Sequence, residues 1–164
     1  MDNILTVITD FVRSIGIPVI MDIISEETVL PGIAIRNGGL TIDPEKLLYP
    51  GDILHEAGHL AVAPPEIRQT MGGALDPKKD FEIAGELMAI PWSYAACLHL
   101  QVDPRIVFHS DGYHGGSDSI LDNFSQGRYF GVPALQWAGM TFDEKNAAEK
   151  EVPAFPHMIK WMRD

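Results

Sequence analysis

Two histidines four residues apart, His55 and His59, enclose a glutamate in the run Gly51-Asp52-Ile53-Leu54-His55-Glu56-Ala57-Gly58-His59-Leu60-Ala61. In an α-helix, residues at that spacing lie one turn above each other on the same face, so both imidazoles can turn a nitrogen toward one ion. Glu56, next to the first histidine, projects beside such an ion rather than onto it, where it can take a proton from a water that the metal has acidified. The chemistry on offer is zinc-assisted hydrolysis, with Glu56 as general base and a peptide bond as the expected substrate. On an ordinary amphipathic helix the same histidines would be solvated or satisfied in the core. Ala57, Gly58 and Ala61 argue against that, because residues this small let other elements approach the helix closely.

A catalytic zinc takes three protein ligands and keeps one position open, so a further His, Asp or Glu is required. The metzincin continuation of the motif fails, since Val62 stands where its glycine should be and Pro65 where its third histidine should be. In the run Asp80-Phe81-Glu82-Ile83-Ala84-Gly85-Glu86-Leu87, Glu82 and Glu86 are again four apart on one face. One can bind the metal while the other accepts the free ring N–H of a ligand histidine and fixes its tautomer. His109 competes for the third position but has no evident carboxylate partner. His114, beside Tyr113 in a glycine-rich loop, is a candidate donor to the oxyanion that forms when water attacks a carbonyl. His99 on an apolar segment, His157 between Pro156 and Met158, and the lone Cys97 read as structural.

With these residues the chain resembles the gluzincins, the thermolysin-like class in which H-E-x-x-H is followed on a later helix by a ligand glutamate and, four residues on, a carboxylate that orients a histidine. The resemblance implies Glu82 as ligand and Glu86 as the orienting group. Glu86 stands where aspartate is more usual, and its greater length leaves the two roles exchangeable. Within that class the chain is most similar, over about residues 30 to 100, to compact cytoplasmic ImmA/IrrE-type metallopeptidases. The likeness rests on a hairpin ending in Leu40-Thr41-Ile42-Asp43, the H-E-x-x-H helix, and a glutamate-bearing helix with the small residues Ala84, Gly85 and Ala89. It implies limited cleavage of a partner protein such as a repressor.

The motifs need elements to hold them. Ile4, Leu5, Ile8, Phe11, Val12 and Ile15 repeat at helical spacing, which predicts a helix over 2–15 ended by Gly16 and Pro18. The β-branched run 17–24 predicts a strand. Segments 32–36 and 40–43 flank Asn37-Gly38-Gly39, a hairpin signal because Asn-Gly supplies positive φ angles. Asp43-Pro44 reads as a helix cap with a first-turn proline. Pro50 opens the H-E-x-x-H helix and Pro64-Pro65 stops it. A long helix over 77–101, nearly apolar around its circumference after Ile83, must be central, and Pro91 should kink it. Beyond it, Asp103-Pro104 opens a helical turn, 111–117 forms a loop, and helices are expected over 118–126 and 132–140. Residues 142–164 read as an arm that docks on this chain or on a neighbour.

At 164 residues the chain suits one domain, 1–164, with an α+β, zincin-like architecture in which a small, partly antiparallel sheet packs on the two motif helices. A formal net charge of −11, with only 12 Lys and Arg, disfavours nucleic acid and anionic membranes as partners. The segment 83–100 contains Glu86, Pro91 and His99, which suits a buried helix better than a membrane span. Asp2 and the broken apolar run after it predict no export signal, and the expected compartment is the cytoplasm. The rival expectation is a protein in which the same zinc site is structural, or its cleft binds a partner without cutting it.

Overall fold

The computed structural model describes residues 2–73 and 78–164, with side chains described for 3–73 and 85–164. The chain has an α+β fold. Helix α1 (Asp2–Ser14) buries Ile8, Phe11 and Val12, the inward positions of its apolar stripe. Among the described residues three strands form one sheet, β1 (Val19–Met21), β2 (Ile33–Arg36) and β3 (Gly39–Ile42), in the order β1-β3-β2. The β2–β3 hairpin closes at Arg36 opposite Gly39. Asn37 and Gly38 both take positive φ, 50° and 79°, as the Asn-Gly signal requires.

Two expectations are corrected here. The strand predicted over 17–24 is confined to Val19–Met21, which pairs parallel to β3 with Val19 opposite Leu40. Pro18 has no N–H to donate, and the N–H of Ile24 is drawn away to the Asp43 carboxylate at 3.0 Å. Asp43-Pro44 begins a single turn rather than a helix. The Asp43 carboxylate accepts from the N–H of Glu45 at 3.1 Å, and its carbonyl accepts from Leu47 at 3.0 Å.

Helix α2 (Asp52–Val62) carries the H-E-x-x-H residues and ends where Ala63 turns extended before Pro64. A short turn, α3 (Pro65–Arg68), follows, and then α4 (Lys78–Leu100), with Pro91 inside it. Proline removes the bond that would have satisfied the Leu87 carbonyl, and Gly131 packs against that oxygen so closely that a Cβ there would lie 2.1 Å from it. Helices α2 and α4 also meet through small residues. A Cβ on Gly58 would stand 3.1 Å from the Trp92 ring and 3.3 Å from the Ala89 carbonyl, while Ser93 Oγ donates to the Leu54 carbonyl at 3.4 Å.

The remaining helices are α5 (Ser117–Ser125), α6 (Val132–Trp137) and α7 (Glu144–Lys150); the start of α6 meets the middle of α4 at Leu87 and Pro91, and Phe124 of α5 packs edge-on against Tyr94 of α4. The C-terminal arm docks on the chain's own core. Trp161 stacks edge-on against Phe11 and Trp92, its carbonyl accepts from the Trp92 indole N–H at 3.0 Å, and the Arg163 N–H donates to the Ala61 carbonyl at 2.9 Å. Arg68 adds donors to the Leu60 and Ala63 carbonyls at 2.8 and 2.9 Å, so the C-terminus of α2, where carbonyls lack intrahelical partners, is satisfied by two arginines. No helix among the described residues is long and apolar enough to cross a membrane.

Candidate metal centre

Helix α2 turns His55, Glu56 and His59 to one side, and these three residues present ligand atoms that all lie within 4.8 Å of one another. The two Nε2 atoms stand 3.2 Å apart, with the rings nearly perpendicular. Helix α4 brings Glu86 onto the same point. Its Oε2 lies 2.9 Å from His59 Nε2 and 3.6 Å from His55 Nε2. The side chain of Glu82 falls outside the described residues.

The electrostatics follow from burial. His55 is pushed down to about 4, mainly by desolvation and then by the charge of His59, with the Glu86 carboxylate opposing. It is therefore neutral at neutral pH, the state in which an imidazole nitrogen can bind a metal. For Glu86, burial favours the neutral acid, but the hydrogen bond from His59 and the charges of both histidines outweigh it and hold the carboxyl below its usual range.

On its other side His55 meets a residue from a distant loop. Its Nδ1 lies 2.7 Å from the Tyr113 hydroxyl, which burial drives well above the ordinary phenol range and so keeps protonated. Tyr113 and His114 both have positive φ, 54° and 52°, in a short 3-10 turn. The turn sends Tyr113 inward and leaves His114 exposed, outside the residues that line the cleft. His109, expected to lack a carboxylate partner, has one. Its Nε2 lies 2.7 Å from the buried Asp52 carboxylate, on the first turn of α2, and its ring stacks on Tyr49 at 3.7 Å. This pairing keeps His109 on the N-terminal side of α2, and it does not join the cluster formed by His55, Glu56 and His59.

His99 lies against Phe11 and Trp161, and His157 is exposed, its carbonyl accepting from Thr141 at 2.7 Å. Cys97 is fully buried, and burial pushes its thiol up to about 12, which leaves no thiolate for chemistry.

The cluster opens into a cleft of about 400 Å³ floored by His55, Glu56, His59 and Glu86 and walled by β2 and the segment 27–30. Val29, Leu30, Ile33 and Ile35 make one wall apolar, and no Lys or Arg is among the described residues that line it. Strand β2 is an edge of the sheet and runs along the cleft.

The donors suit zinc. Ligands at about 2.0–2.1 Å from a tetrahedral ion stand about 3.3 Å from one another, and the three separations here are 3.2, 2.9 and 3.6 Å. Two imidazoles and one carboxylate are a donor set that catalytic zinc sites use, with a fourth position left for water or substrate. Comparison with protein-family models, with curated proteins and with solved structures finds no match for this chain.

Proposed function

We propose that the protein is a zinc-dependent peptidase of zincin type in which His55, His59 and Glu86 hold the metal. The observation that carries this reading is the triangle of Nε2, Nε2 and Oε2 atoms, whose sides of 3.2, 2.9 and 3.6 Å match the donor spacing of one tetrahedral zinc. On this reading the ligand is Glu86 rather than Glu82, the residue that the gluzincin resemblance implies. When bound, zinc would supply Lewis acidity, polarising a carbonyl and acidifying water.

The rest is done by side chains. Glu56, partly buried in the cleft floor one residue beyond His55, accepts the proton of the attacking water and returns it to the leaving amine. An extended peptide fits beside β2, an edge of the sheet among the described residues, and the wall of Val29, Leu30, Ile33 and Ile35 takes apolar side chains. The carboxylates of Glu27, Glu56 and Glu86 repel anionic substrates, which favours a neutral or basic peptide over a phosphorylated one.

Glu56→Gln tests the assignment. The purified variant should retain one zinc per chain by elemental analysis and lose at least about a hundredfold of the hydrolysis of a labelled, unfolded casein. Equal hydrolysis by the two forms would remove Glu56 from the reaction, and a zinc-free wild type purified without chelators would remove the metal.

A further inference from the structure

An imidazole that binds metal through Nε2 must carry its proton on Nδ1, and that N–H needs an acceptor. The network around His55 selects this tautomer before any metal binds. Glu86 Oε2 lies 2.9 Å from His59 Nε2, which places a proton on that nitrogen. A second proton on His55 Nε2 would point at the first across 3.2 Å. The arrangement without a donor facing a donor puts the His55 proton on Nδ1, toward the Tyr113 oxygen at 2.7 Å.

The loop that delivers this oxygen is held on several sides. Tyr113 and His114 occupy left-handed backbone conformations that side chains rarely adopt. Such conformations persist only where surrounding contacts impose them. Phe108 lies against the Tyr113 ring at 5.3 Å, and His109 bonds Asp52 on the first turn of α2. The Ile106 carbonyl sits against Gly51, where a Cβ would approach it to 1.9 Å. The hydroxyl lies on the Nδ1 side of the His55 ring, and Tyr113 is not among the described residues that line the cleft.

We propose that Tyr113 is a positioning residue of the metal centre, whose hydroxyl oxygen accepts the Nδ1–H of His55 and so fixes the tautomer and ring plane that aim Nε2 at the ion. The proposal rests on the zinc reading above. Two measurements test it. In the metal-free wild type at neutral pH, long-range proton–nitrogen correlation spectra should show His55 protonated at Nδ1. In zinc competition against a chromophoric chelator, Tyr113→Phe should bind about 10- to 100-fold more weakly than wild type, while its metal-free form still unfolds in urea in one cooperative transition, because Phe keeps the contact with Phe108 and only the acceptor of the His55 Nδ1–H is lost. Protonation of His55 at Nε2, or an affinity of Tyr113→Phe within about twofold of wild type, overturns the proposal. A variant that loses stability but not relative affinity also overturns it, since that is the signature of a merely structural tyrosine. Failure of the wild type to bind zinc sinks the metal reading instead, and the tautomer, read without metal, still judges Tyr113 separately.

Discussion

Replacing Glu86 and Glu82 one at a time asks which turn of α4 serves the metal. Glu86→Gln keeps the length and volume of the side chain but removes the charge that stands 2.9 Å from His59 and 3.6 Å from His55. Four-ligand structural zinc sites bind with about 10–16 kcal/mol, or about 2.5–4 kcal/mol per ligand. The Glu86 side chain is 41% exposed, so solvent screens it and the lower end applies. A loss of about 2–3 kcal/mol corresponds to about a 30- to 150-fold weaker zinc complex. Glu82→Gln, one helical turn earlier, should leave affinity close to that of wild type, because on this reading Glu82 neither binds the ion nor orients a ligand. Chelator competition on both variants, with metal-free urea unfolding as a control on the fold, measures the difference. If the loss followed Glu82→Gln and spared Glu86→Gln, the assignment of the ligand triangle would be refuted.

Two further outcomes probe the surroundings of the site. His55 has a folded value of about 4 against 6.5 unfolded, so between those values the unfolded chain binds more protons. The stabilisation from keeping it neutral is present above pH 6.5 and is lost as pH falls toward 4, which amounts to about 3 kcal/mol. Metal-free wild type should lose that much relative to His55→Gln between neutral pH and pH 4 in urea titrations, and a difference that does not change with pH would contradict burial of a neutral ring. Gly51→Ala would place a Cβ 1.9 Å from the Ile106 carbonyl and 2.6 Å from the Val107 nitrogen, so backbone must move, at about 1–3 kcal/mol. Because the displaced segment carries His109 and Tyr113, zinc affinity should fall as well, and a variant with wild-type stability and affinity would show that this close approach does not fix the loop.

What could be read from sequence was governed by local rules. Helix α1 follows from its apolar spacing, the β2–β3 turn from Asn37-Gly38, and the stop of α2 from Pro64-Pro65, and each appears where those signals put it. The H-E-x-x-H face is equally local, since four residues make one turn whatever the rest of the chain does. Features that depend on distant pairing were harder to read. The strand after Pro18 is shorter than its β-branched run because its neighbour is β3, and Asp43 competes for the N–H of Ile24. Asp52 looks like an ordinary acid in a first helical turn until His109, 57 residues later, closes on it.

The choice between Glu82 and Glu86 shows where local reasoning stops. Two residues four apart share a face, so periodicity cannot rank them, and the answer lies in the height at which α4 crosses α2. That height is set by Gly58. With no side chain there, the Trp92 ring and the Ala89 carbonyl come within 3.1 and 3.3 Å of where its Cβ would stand, which seats the turn just before Ala89 beside the turn between His55 and His59. Glu86 occupies that turn. The small residues that first suggested a close helix contact therefore also bring Glu86 to the two histidines, but only the crossing converts one statement into the other. Tyr113 is the same case carried further, because it lies 58 residues from His55 and no spacing rule connects them. Gly51 and Asp52 hold its loop against the first turn of α2, so the helix that carries His55 also anchors the loop that brings Tyr113 to it.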